Sequence, residues 1–481
     1  MNSPIPVAQG HIARPIVRDP RQPSRRAQAR GFTLVEILVA LAITLIMMGA
    51  VVTLFGVISQ SVAESRSAIE MSDRLRAARN QLQLDLGGAT ATMQPPLRPE
   101  NDEGYLEIIE GPVRDSDPYY LSNVNLSLFG DVDDVLMFTT RSRGAPYLGK
   151  WNNTVIESPV AEVVYFLAQD PTSLPPVIDA TTNPPTRLYT LYRRVLLVAP
   201  SAVLTNPTPP VHFFDVNDIS IRYEEPGGTP TLLANTLGDL TKRENRFAHH
   251  GTTMPPAVDY GTFPFPVDLT AVPVIPPGAP TTPSLPNNWP MPPGMEENAF
   301  IAPAVDFRVG DDVLLNNVLA FDVQVWDPGA PVFVSNGVAV EPRDPGWAGL
   351  TGGTPAGFGA YVDMGYSGAI VTAPNMVFNL INPNSKSGFT SGPTAPRVYD
   401  TWSLHYENDG VDQDNDMPTL TDEGTNGLDD DSDGVVDELD ELETLPPYSA
   451  PLRGIRVTIR VYEPSSQQVR EAVVIQDFLP E

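Results

Sequence analysis

Apolar residues fill one segment near the N-terminus without interruption and then thin to a stripe. Ile37–Ile58 is 22 residues long and carries no charge. At about 1.5 Å per residue it reaches roughly 33 Å, enough to cross a hydrocarbon layer about 30 Å thick. Beyond it, Ala68, Met71, Leu75, Ala78, Leu82 and Leu86 recur at spacings of three and four, the period of one helix face. Glu70, Asp73, Arg74, Arg76 and Arg79 fall between them and suit a solvated face. Gly87-Gly88 stops the pattern. The spacing predicts one helix over Phe32–Leu86, apolar all round in its first half and amphipathic in its second.

The period then changes. Residues 105–110, 134–140, 161–167, 188–198, 213–223, 318–326 and 455–462 are short, apolar and β-branched, which predicts strands. In the last of these, Arg456, Thr458 and Arg460 alternate with Ile455, Val457, Ile459 and Val461, as in a half-buried strand. Val469–Ile475 is its expected hairpin partner across Glu463-Pro464-Ser465-Ser466. One long helix succeeded by strands is an α+β layout. Gly349–Gly368 reads as a loop. Residues 254–303 hold 14 prolines in 50 positions and read as an extended, proline-rich surface insertion.

Composition sharpens this picture. Proline accounts for 52 of 481 residues, about twice the usual share, which excludes a mostly helical chain. Cysteine is absent, so disulfide scaffolds, thiolate zinc sites and cysteine nucleophiles are excluded. The net charge of −29 argues against direct nucleic-acid binding. The charge is also uneven: six arginines and a single acid, Asp19, precede Gly31. Basic residues upstream of an apolar span place the N-terminus in the cytoplasm and export the chain beyond the span.

A cleaved secretory signal would need a shorter apolar run than this one, and a plain signal anchor would leave Glu36 unexplained. An acid at a membrane edge costs free energy and points to a function. Gly31-Phe32-Thr33-Leu34-Val35-Glu36, continued by Ile37-Leu38-Val39-Ala40-Leu41-Ala42-Ile43, resembles the type IV pilin and pseudopilin signature. The resemblance implies cleavage of a basic leader, residues 1–31, by a prepilin peptidase between Gly31 and Phe32. It also implies N-methylation of Phe32, a membrane and filament helix over 32–58, and a stalk helix over 59–88. Glu36 takes the family's assembly position, where it pairs with the terminal amine of a neighbouring subunit. The implied partners are other pilin or pseudopilin subunits and an inner-membrane assembly platform. The implied location is a single pass of the inner membrane with a β-rich head over 89–481 exported. The strand series with a C-terminal hairpin is similar, more loosely, to the J-type pseudopilin of type II secretion or the W-type minor pilin.

Residues 407–443 hold 16 acids and no Lys or Arg. Such a run can be a solvated acidic loop. Its spacing, however, fits a calcium loop, which takes oxygen ligands at positions 1, 3, 5, 7, 9 and 12 with glycine at 6. Here these are Asp429, Asp431, Asp433, the Val435 carbonyl, Asp437 and Asp440, with Gly434 at the turn. Aspartate at the last position departs from the EF-hand pattern and resembles dockerin-type loops. Asp412, Asp414 and Asp416 repeat the spacing without the glycine, and Asp422, Asn426 and Gly427 form a weaker third copy. Asp131, Asp133 and Asp134 read as a capping or solvated turn, and His249-His250 as an exposed loop.

No His-Glu-x-x-His, Gly-x-Ser-x-Gly or phosphate-loop pattern occurs in the chain. Two classes of function are compatible with these features. One is a non-enzymatic structural subunit of a pilus or secretion filament with calcium in its head. The other is a membrane-anchored exported binding protein or enzyme that shares only the signal.

Overall fold

The computed structural model describes residues 31–110, 134–168, 188–204, 213–224, 231–249, 312–344, 346–366, 376–380, 397–413, 421–438 and 441–478. Residues 1–30 of the leader and the proline-rich insertion lie outside the described residues. The chain divides into two units, residues 1–63 and 64–481.

In the first unit the described residues from Leu34 onward are helical, and every one of them is exposed. They belong to a single helix, α1, Leu34–Gly87, 54 residues long. No Pro interrupts it, and its leading segment is apolar enough to cross a membrane. Thr44 and Thr53 donate their hydroxyls to the carbonyls of Ala40 and Gly49 at 2.8 and 2.7 Å. Both hydroxyls are thereby satisfied within the helix, as an apolar surrounding requires.

The second unit is built on a ten-stranded sheet. Its strands are β1 (Leu106–Glu110), β2 (Val135–Arg141), β5 (Val160–Ala168), β6 (Tyr189–Leu197), β9 (Val313–Ser335), β10 (Val338–Val340), β11 (Gly357–Val362), β12 (Arg397–Asp400), β13 (Gly454–Glu463) and β14 (Gln468–Asp477). The order is β12-β1-β2-β5-β6-β9-β13-β14, with β10 and β11 both paired to β9, and all the pairings are antiparallel. Two small hairpins stand apart: β3 (Tyr147–Trp151) with β4 (Thr154–Ser158), and β7 (Ile221–Glu224) with β8 (Thr231–Ala234).

Both faces of the sheet are covered, which explains why its central strands read as near-continuous apolar runs. On β2, Leu136 and Phe138 join one core, while Val135 and Met137 join the other. The first core receives Met71, Leu75, Ala78, Leu82 and Leu86 of α1, the stripe expected from the spacing. The second is closed by residues from 213–224 and 231–247, among them Phe213, Phe214, Leu240 and Phe247.

The structure corrects several expectations. Residues 213–223 are not one strand: Phe213–Val216 is a helical turn and only Ile221–Glu224 is extended. The glycine-rich stretch 349–368 contains β11, which completes the sheet beside β9. The β13 strand is buried on both faces for most of its length, and Arg456, expected on a solvated face, donates to the buried Gln324 and lies 5.1 Å from the Tyr361 ring centroid. Asp134 is buried, with its carboxylate accepting the Val323 amide at 2.6 Å. The C-terminal hairpin stands as expected, with Gly454 opposite Asp477 and Glu463 opposite Gln468.

Candidate functional site

Two regions carry candidate chemistry: the start of α1 and the acidic tract. Gly31 and Phe32 precede the helix and are exposed, with Phe32 at 82 %. Thr33 and Glu36 form a reciprocal cap. Thr33 Oγ1 accepts the Glu36 amide at 3.2 Å, and Glu36 Oε2 accepts the Thr33 amide at 2.8 Å and the Thr33 hydroxyl at 3.0 Å. This is a capping box, which satisfies two of the amide donors a helix start leaves open. Both bonds that the carboxylate accepts use a single oxygen, Oε2.

The acidic tract is stapled by its own carboxylates. Glu407, fully buried, accepts the amides of Glu443 and Thr444, each at 2.8 Å. Asp422 accepts the amides of Asp409 and Gly410, each at 2.9 Å. Glu443 accepts the amides of Gln413, at 2.9 Å, and of Asp422. Burial outweighs these bonds and pushes the Glu443 carboxyl up to about 7. Trp402, buried after β12, donates its indole N–H to Thr444 Oγ1 at 3.2 Å and ties this end of the tract to the head.

Within the tract, ligand atoms of Asp429, Asp431 and Asp433 lie within 4.8 Å of one another. Gly434, at φ +101°, makes the turn that lets the chain fold back. Its amide reaches Asp429 Oδ2 at 3.0 Å, and the amides of Asp433 and Val435 reach Asp431 Oδ1 and Asp433 Oδ1 at 2.9 Å each. Asp437 turns elsewhere, accepting the Gly427 amide at 2.8 Å. Asp440, Asp414 and Asp416 lie outside the described residues; Asp412 is described but is not grouped with other acids at ligating distance. A second triad was not expected from the spacing: Asp431, Glu438 and Glu441, also within 4.8 Å of one another. Asp429 Oδ1 and Glu441 Oε2 are buried without a hydrogen bond, and the donor set is all hard oxygen, so the residues fit calcium.

A third polar cluster lies in the core. His249 is buried rather than exposed, with Nε2 at 3.0 and 3.2 Å from the two Glu107 oxygens. Arg243 and Arg246 pair with Glu107 and Asp400, and Arg246 also stacks on the Tyr105 ring at 4.2 Å. Burial pushes the His249 imidazole down to about 4 against the pull of Glu107. Burial would raise Glu107, but the Arg243 charge, then His249 and Arg246, hold it well below the usual carboxylate range. The cluster ties residues 237–249 under β1 and β12, out of reach of solvent.

Residues 26–52 match the prokaryotic N-terminal methylation motif. No curated protein and no solved structure matches the chain. The segment around Gly31 is therefore a type IV pilin-like prepilin signal. A signal of this kind implies processing by a prepilin peptidase and assembly with other pilin subunits, and the apolar first half of α1 supports anchoring in a membrane.

Proposed function

We propose that this chain is a non-enzymatic minor subunit, a minor pilin or minor pseudopilin, of a type IV pilus or type II secretion filament, with calcium in the acidic tract of its head. The observation that carries the reading is the bare apolar helix. Every residue from Leu34 to Ala63 is exposed, and Glu36 is the one charge along the segment. Such a surface is stable in a bilayer or among like helices, and within the latter a lone carboxylate selects an axial position where a cation meets it. The cation at hand is the terminal amine that cleavage before Phe32 creates. The capping box engages Glu36 through Oε2, so pairing through the other oxygen leaves the cap intact. The head's acidity supports a subunit without direct nucleic-acid contact. Its buried histidine–carboxylate pair is enclosed by arginines, a structural placement.

Mass spectrometry of the native product tests the reading together with filament fractionation. The expected result is an N-methylated terminus at Phe32 and co-purification with sheared filaments. An uncut chain that stays with the membrane fraction overturns it in favour of an anchored exported protein that shares only the signal.

A further inference from the structure

We propose that Glu438 and Glu441 close the calcium loop and complete the ion's oxygen shell through Asp431. This deepens the calcium reading above and rests on it.

The two carboxylate triads share Asp431. Asp429 and Asp433 approach it from the start of the loop, and Glu438 and Glu441 from its end. An acidic cluster alone is no site, because solvated acids need no ion. The distinguishing feature is Glu441. It is only 3 % exposed, and its two oxygens are used unequally. Oε1 accepts the amides of Asp430 at 2.6 Å and Asp431 at 3.3 Å, whereas Oε2 is buried with no hydrogen-bond partner. Both oxygens of Glu438 are likewise buried without a hydrogen bond. Three carboxylate oxygens removed from water without a donor, beside a further acid, are strongly unfavourable unless a cation meets them.

The ligand chemistry selects the ion. Carboxylates drawn from a flexible loop suit calcium, which accepts six to eight oxygens in irregular geometry, whereas magnesium demands a near-ideal octahedron and keeps its waters. The placement of Glu441 also gives binding a consequence. Two residues on, Glu443 and Thr444 donate to the buried Glu407, and Thr444 accepts from Trp402. An ion held by Glu441 therefore fixes the segment that fastens the tract to the head.

The test uses the full-length chain in detergent, stripped with a chelator and titrated calorimetrically with calcium chloride alone, then with magnesium present in equal concentration. The variants are E441Q, E438Q and D433N. Gln at 441 keeps an acceptor for the Asp430 and Asp431 amides, and the Glu438 carboxylate oxygens accept no hydrogen bond, so both variants should retain the wild-type near-UV circular dichroism. The expected result is a loss of affinity of tenfold or more in E441Q and in E438Q, and no displacement by magnesium. Wild-type affinity in either glutamine variant overturns the proposal while leaving the calcium loop standing. Absence of calcium heat in the wild type, or unchanged binding in D433N, overturns the calcium reading itself.

Discussion

At the scale of single residues, Glu36 and Thr33 show how one side chain serves two demands. The helix start needs its open amides capped, and the Thr33–Glu36 pair supplies this within the chain. Thr33→Ala removes the cap, which costs about 1 kcal/mol in comparable helices. Fraying of the first turn should slow processing at Gly31 without preventing membrane insertion, measured as the ratio of uncut to cut chain. Glu36→Ala should insert and be cut but fail to enter filaments; normal incorporation would remove the assembly role. His249 makes a different point. In the unfolded chain its imidazole takes a proton near pH 6.5, whereas the folded core holds protonation off until about 4. Between those values the unfolded state binds more protons, so stability is full above pH 6.5 and declines as pH falls toward 4. The groups that face it are Glu107, which favours protonation, and Arg243 and Arg246, which oppose it. The shift corresponds to roughly 3 kcal/mol. Urea midpoints at pH 7 and 4.5 should differ for the wild type and differ less for His249→Gln. Nothing in the sequence around His249-His250 signalled this burial, since the partner carboxylate, Glu107, lies 142 positions away.

Among the elements, α1 was legible almost to its ends, because a period of 3.6 residues is a local property. The stripe from Met71 to Leu86 is the buried face, and the helix stops at Gly87, one residue beyond the expected end. Asp85 was missed, although it sits in register with that stripe. An acid on an apolar stripe is a signal of a buried partner. Here the partner is Arg193 of β6, whose Nε and Nη2 grip the two carboxylate oxygens at 2.7 and 3.0 Å, with the Tyr165 hydroxyl donating as well. Asp85→Ala leaves a largely buried guanidinium without its counter-charge and should lower head stability by about 3 kcal/mol, read as a urea midpoint. Leu82→Ala, at a fully buried position, should cost about 2–5 kcal/mol by cavity formation. The strands were less legible for a physical reason. Short or glycine-rich strands such as β11 and β12 are stabilised by neighbours far away in sequence, with Glu107 on β1 facing Asp400 on β12. Propensity alone cannot reveal such pairing.

At the scale of the whole molecule, the acidic tract links the head's composition to its conditions. Its spacing exposed Asp429, Asp431 and Asp433 as a group, but not Glu438 or Glu441, because the template assigns no ligand to its tenth position, where Glu438 stands, nor to the residue after its twelfth, where Glu441 stands. The same acids that would hold an ion also lie in a tract whose backbone is stapled by carboxylates: Glu407, Asp422 and Glu443 accept amides across it. Removing a bound ion leaves Asp429, Asp431, Asp433, Glu438 and Glu441 facing one another, and their repulsion acts directly on the chain that leads to Thr444 and Trp402. Chelation should therefore open the tract before it unfolds the sheet. Limited proteolysis of the full-length chain should show cleavage within 407–443 that rises on adding a chelator and falls when calcium is restored, while the 454–477 hairpin stays protected. Equal cleavage in both conditions would separate the stapling network from any ion and leave the carboxylate–amide bonds as the sole source of order in this part of the head.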